Sequence, residues 1–266
     1  PSRKLWTMKS ETDIAVPRTS STVVVVRAAE GDPEVFMVQR HARLSFGTAF
    51  AFPGGVLDPD DTRVDAFCHG LEAADANLRL GDEKDGLAYY SAAIRELFEE
   101  TGVLLADYSD VDDDLGSIRD ALNDNSLCWA DFIGSYGLEL RCDQLHYIDH
   151  WITPEDAEKR YSARFFLTEL PDGQIADHCG GELTASRWTT AVDMLDAERR
   201  GDVRMIFPTI KTLERVARHR SVESLLEWAA SKADWGITTM VPVTIQRHGK
   251  TEIVLPGDRD YPGAKT

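Results

Sequence analysis

The spacing of apolar positions changes several times along the chain, and each change predicts an element. "TVVVVRA" (Thr22–Ala28) is a β-branched run, and "VFMVQR" (Val35–Arg40) follows it after "AEGDPE". A Gly-Asp-Pro turn between two such runs predicts a hairpin. "AFAFPGG" (Ala49–Gly55) predicts a third short strand ending in a Pro-Gly-Gly turn. A polar, acidic stretch then runs from about Asp58 to Gly86, with helical hints around "FCHGLEAADANLRL". From Leu87 to Thr101 the period is helical, with Tyr90, Ala93, Ile94 and Leu97 at i, i+3, i+4 and i+7. Gly102 is placed to cap that helix.

Downstream, "DVDDDLG" (Asp110–Gly116) reads as an acidic loop; Ala121 falls where an EF-hand loop needs its glutamate, which excludes that calcium site. Short helices are predicted near Ser117–Leu122 and Leu127–Tyr136, and strands at "HYIDHWI", "RFFLTEL" and "LTASRWTT". Helical patterns follow at Ala191–Arg200, Thr209–Arg218 and Val222–Ser231, and "TTMVPVTIQ" with "TEIVL" predicts a closing hairpin. Without repeats, low-complexity tracts or a clear linker, residues 1–266 read as one α/β domain with a helical elaboration over 191–235.

The net charge of -17 over 266 residues works against non-specific binding to nucleic acid or anionic membranes. It still allows a phosphate substrate, because a cation reverses the local field. No apolar run approaches the roughly 20 residues of a membrane span. The opening "PSRKLWTMKSETD" has no apolar core of a secretory signal. Cys68, Cys128, Cys142 and Cys179 form no CxxC pair and match no zinc-finger spacing, so they read as reduced thiols of a cytoplasmic protein. His41, His146 and His150 lack the context of a nucleophilic triad. Trp151, Trp188 and the "RFF" run read as packing.

The chemistry concentrates in "RELFEETGV" (Arg95–Val103). Glu96, Glu99 and Glu100 share one helix face, where like charges oppose each other by a few tenths of a kcal/mol per pair. They also lie near the helix C-terminus, where the macrodipole disfavours anions. On spacing alone two readings stand, a solvated acidic face or a divalent-cation site.

Together with "FPGG" (Phe52–Gly55), this segment resembles the signature of the Nudix hydrolases. Arg95, Glu96, Leu97, Glu99, Glu100, Gly102 and Val103 match its second half. Six residues past Gly55 stands Asp61, an acid where the family has glutamate. The family's seven-residue gap has widened to 33 residues, Thr62 through Ile94, an insertion centred on 62–86. A split of this kind resembles the branch containing the peroxisomal coenzyme A diphosphatase of mammals. "QRH…SFGTAFAFPGGVLDPDD", "WITPEDAEKRYSARFFL" and "LPGD" extend that resemblance over most of the chain.

The resemblance implies an α/β/α sandwich with a mixed β-sheet, and hydrolysis of a nucleoside diphosphate linked to another moiety. It implies Mg²⁺, with Mn²⁺ as a substitute, held by Glu96, Glu99, Glu100 and the Gly55 backbone. Glu99 and Glu100 would serve catalysis, Arg95 would orient the carboxylates, and Glu182 would add a carboxylate from outside the helix. Arg40, Arg43, Phe52 and Gly54 are the expected substrate contacts, arginine suiting phosphate by its bidentate fork. Phe46 and Phe50 stand beside them as contacts or as core. Coenzyme A or acyl-coenzyme A is the first-choice substrate; ADP-ribose, NAD(H) and dinucleoside polyphosphates are alternatives, as is a Nudix-fold ligand sensor without turnover. Homodimerisation is an expectation by fold analogy.

Overall fold

Strand β1 (Arg18–Arg27) lies in the interior of the sheet because Val23, Val24, Val25 and Val26 are all fully buried, two on each face. Such a run, apolar on both sides, needs cover above and below. The structure is a computed structural model that describes residues 14–40, 49–81, 84–107, 114–180, 183–247 and 249–262, without the side chains of Arg40 and Lys250.

Strand β2 (Glu34–Arg40) pairs antiparallel with β1, as the hairpin pattern predicts. "AFAFPGG" departs from expectation. It forms two short strands, β3 (Ala49–Ala51) on β2 and β4 (Gly54–Val56) on β1, so the two glycines extend the sheet instead of closing a turn. The inserted stretch then supplies β5 (Cys68–His69) and helix α1 (Ala73–Leu80) before the long helix α2 (Gly86–Thr101). Next come β6 (Ala106–Asp107), α3 (Leu115–Asn123), α4 (Trp129–Tyr136) and β7 (Glu139–Arg141); β5, β7 and β6 form a small sheet. Leu115 and Gly116 belong to α3 rather than to an acidic loop, because the Asp114 side chain accepts from the Gly116 N–H and starts the helix there. Residues 110–113 lie outside the described residues.

Strands β8 (His146–Ile152), β9 (Tyr161–Glu169) and β10 (Leu183–Thr190) complete the main sheet, followed by α5 (Ala191–Arg200), α6 (Phe207–Val216) and α7 (Val222–Trp235). The last strands are β11 (Thr239–Met240), β12 (Val243–Arg247) and β13 (Lys250–Val254). Only β12 and β13 make the closing hairpin; β11 joins the main sheet, parallel to β8. The sheet order is β10-β2-β1-β9-β8-β11, with β1 and β9 parallel, so the sheet is mixed.

One apolar cluster joins Val23, Val25, Phe36 and Val38 to Tyr90, Ala93, Ile94 and Leu97 of α2. The other joins Val24, Val26, Val35 and Met37 to Met194, Leu213 and Leu225 of α5, α6 and α7. The result is an α/β/α sandwich in which residues 191–235 form the second helical layer.

Candidate active site

The site is built on the last two turns of α2 and on β4 beside it. Gly102, at φ +76°, ends the helix in the left-handed region. The apolar stripe of α2 fixes its rotation on the sheet. That rotation turns Ser91 and Arg95 inward, toward the single turn formed by Pro59–Thr62.

Arg95 is 7% exposed and uses its guanidinium as a hub. Its Nε and Nη2 each donate at 3.0 Å to the two oxygens of Asp61, and Nη2 also donates to the Val56 carbonyl at 3.0 Å. Its Nη1 donates to Glu96 Oε1 at 3.0 Å and to Glu99 Oε2 at 3.1 Å. The Gly54 N–H donates to Glu100 Oε2 at 3.0 Å. At Gly55 an added Cβ would stand 2.3 Å from Glu96 Oε1, so only glycine lets that carboxylate lie against the strand.

Asp61 sits fully buried opposite Arg95. It also accepts from the Asp58 N–H at 2.8 Å and from Ser91 Oγ at 3.1 Å, and Ser91 Oγ in turn accepts from Trp129 Nε1 at 3.0 Å. The question left by the aspartate at a glutamate position thus has a structural answer: Asp61 anchors Arg95, and Arg95 aims Glu96 and Glu99. The turn at 59–62 carries the shorter acid within reach. Ser91 and Trp129 carry no local sequence signal for this role, since Trp129 lies 38 residues from Ser91 along the chain.

Burial raises the pKa of Glu99 to about 7; Arg95 opposes the rise, while the charges of Glu96 and Asp61 add to it. Burial likewise raises Asp61, against the hydrogen bonds and charge of Arg95. Burial opposes the charge on Arg95, but hydrogen bonding and attraction to Asp61, with Glu96 and Glu99, push its pKa further above its usual value. Arg95 is ion-paired with three carboxylates, and Glu100 brings a fourth into the same region. Hard oxygen donors in electrostatic excess over one guanidinium fit a divalent cation such as Mg²⁺. Among the described residues, no three His, Cys, Asp or Glu side chains are gathered as a ready ligand cluster.

Other expected site residues lie elsewhere. Phe52 is 2% exposed and packs edge-on against Phe165, 6.4 Å between ring centroids, which is a core position and not a substrate surface. Phe50 is also buried, beneath the Arg187 guanidinium. Arg40 ends β2, but its side chain lies outside the description, as do Arg43, Phe46 and Glu182. The four cysteines are free, and Trp151 is buried as packing.

No protein-family model matches the chain. Nudix hydrolase 7 of Caenorhabditis elegans is 27% identical over 249 residues, covering 91% of this chain and 74% of its own. The crystal structure of a NUDIX hydrolase from Alicyclobacillus acidocaldarius superposes with a TM-score of 0.70 at 27% identity, covering 80% of this chain and 96% of that one. In sequence and in fold the chain is similar to the Nudix hydrolases. The chain is also similar to the acyl-coenzyme A diphosphatase NUDT19 of Xenopus laevis. That relative is 23% identical over 273 residues, covering 87% of this chain and 72% of its own. The Gallus gallus protein of the same name is 24% identical over 279 residues, with 87% and 73% covered. No helix among the described residues is long and apolar enough to cross a membrane.

Proposed function

We propose that this protein is a Mg²⁺-dependent Nudix diphosphatase that cleaves coenzyme A or acyl-coenzyme A at its diphosphate. The observation that carries the metal-dependent reading is the Arg95 hub, which holds Glu96 and Glu99 beside β4 while Gly54 fixes Glu100. The substrate reading is supported by the acyl-coenzyme A diphosphatases, which align with 87% of the chain.

In this reading Glu96, Glu99, Glu100 and the Gly55 backbone would hold Mg²⁺, with Mn²⁺ as a substitute. When bound, the cation supplies charge neutralisation at the diphosphate and a lowered pKa for an attacking water. The chain's own contribution is positioning. Asp61 keeps Arg95 charged and oriented, and Arg95 fixes two carboxylates before substrate arrives, so little reorganisation is left to the reaction. Glu182 adds a further carboxylate, and Arg40 and Arg43 bind the substrate's phosphates. Residues 1–266 act as one domain in a cytoplasmic, homodimeric protein.

The test is a panel of diphosphate substrates with and without Mg²⁺, with products identified by mass. Coenzyme A should yield 4′-phosphopantetheine and 3′,5′-ADP. Faster turnover of ADP-ribose or NADH than of coenzyme A and every acyl-coenzyme A tested would overturn the substrate and leave the diphosphatase. No Mg²⁺-dependent turnover of any member would overturn both.

A further inference from the structure

The last turn of α2 is held from outside by donors that the helix itself does not supply. Arg119 of α3 donates Nε to the Glu99 carbonyl at 2.9 Å and Nη2 to the Asp177 carbonyl at 2.9 Å. Asn123, one turn later on α3, donates Nδ2 to the same Glu99 carbonyl at 3.1 Å. The N–H groups of Asp177 and Cys179 donate to the carbonyls of Thr101 and Glu100 at 2.9 and 3.1 Å. Gly102 leaves room for the guanidinium, since a Cβ there would stand 3.3 Å from Arg119 Nη1. A helix C-terminus carries unsatisfied carbonyls and partial negative charge, and here two glutamates add to it. A cation bonded to those carbonyls offsets both.

We propose that Arg119 is a positioning residue for the cation site: it fixes the backbone of Glu99 and ties the end of α2 to the 177–180 segment. The inference rests on the reading of Glu96, Glu99 and Glu100 as cation ligands. Arg119 bonds the carbonyl of Glu99, the same residue whose carboxylate Arg95 holds on the other side. One residue is thereby fixed at backbone and at side chain. A plain helix cap would stabilise the fold and leave cation affinity alone, whereas a positioning residue sets that affinity.

Mn²⁺ affinity, read from the electron paramagnetic resonance signal of the free ion, separates the two. It is paired with amide hydrogen exchange over residues 98–103 in the metal-free protein, and a urea titration shows that each variant is folded. Arg119→Ala is expected to weaken Mn²⁺ binding by about tenfold, as losses of outer-shell partners do, and to speed exchange at residues 98–103. Arg119→Lys keeps the charge but has one nitrogen for two carbonyls, so its affinity should fall between wild type and alanine. Unchanged Mn²⁺ affinity in folded Arg119→Ala would overturn the inference. Should the alanine variant not fold, wild-type affinity in Arg119→Lys would overturn it. A wild-type protein that binds no Mn²⁺ would instead remove the cation-site reading on which the inference stands.

Discussion

Gly54 and Gly55 are neighbours in one short strand, yet the structure predicts opposite consequences for the same substitution. At Gly55 an alanine Cβ would stand 2.3 to 2.4 Å from the three carboxyl atoms of Glu96. Ordinary carbon contacts begin near about 3.5 Å, so the carboxylate must retreat by about 1 Å. It is the far end of a side chain, so the retreat costs only about 0.5–1.5 kcal/mol of rotamer strain. It does move a candidate ligand and disturb the Arg95–Glu96 bond. A 1 Å misplacement at an active site costs roughly 100-fold in rate, or about 2.7 kcal/mol of transition-state stabilisation. At Gly54 the Cβ would meet the Ser21 carbonyl oxygen at 2.3 Å and Thr22 Cα at 2.7 Å, both backbone of β1, and φ is +148°. Neither neighbour can yield without moving the sheet. Overpacking and backbone strain together put the loss at about 2–6 kcal/mol of stability. Urea melts and Mg²⁺-dependent turnover measured on both variants test the pair. Gly55→Ala should lose roughly 100-fold in turnover yet stay folded, and Gly54→Ala should be unstable. Wild-type turnover in Gly55→Ala at sub-saturating Mg²⁺, or equal destabilisation of the two variants, would refute the reasoning.

Three further outcomes are expected. Glu99→Gln and Glu100→Gln should each lose turnover by orders of magnitude while remaining folded, because the amide keeps the shape and loses the charge; near wild-type Mg²⁺-dependent rates in either would remove that glutamate from the ligand set. Asp61→Asn should cost about 3 kcal/mol in a urea melt, since breaking a buried pair leaves a buried charge poorly compensated; a change below about 1 kcal/mol, the range of an exposed pair, would show that Glu96 and Glu99 suffice for Arg95. Arg43→Ala should raise KM for coenzyme A more than for dephospho-coenzyme A, because it removes a contact to the 3′-phosphate and not chemistry; equal effects on both substrates would place Arg43 elsewhere.

Period carried most of the fold's legibility. The valine run and its hairpin, the α2 stripe, the strands around Trp151 and Phe166, and the three C-terminal helices each bury a face whose spacing is local in sequence. Where local rules misled, tertiary pairing had overridden them. Pro-Gly-Gly is ordinary turn chemistry, but here Gly54 and Gly55 pair with Thr22 and Ser21 in the sheet, and they are glycines because a Cβ at either would meet β1 or Glu96. The resemblance implies Phe52 as a substrate contact, yet the link between β3 and β4 places it in the core against Phe165. The supports from Ser91, Trp129, Arg119 and Asn123 had no local signal, since each acts across a distance that only the packed helices close.

The split signature shows which part of a motif is a physical constraint. Seven residues separate its halves in the family pattern and 33 do here, and yet Asp61 and Arg95 meet with two hydrogen bonds of 3.0 Å. What the chemistry fixes is the position of the two ends, Asp61 on a turn held by the Asp58 N–H and Arg95 on a helix held by its apolar stripe. The chain between them is a closed loop, and lengthening a loop is cheap because closure entropy grows only with the logarithm of its length. The added residues offset even that cost by burial of their own, since Val64, Leu71, Ala76 and Leu80 join the cluster that covers α2. The same cover helps to bury α2 almost all round. A spacing-based pattern rejects this chain on the insertion, while the contact it was written to capture is intact.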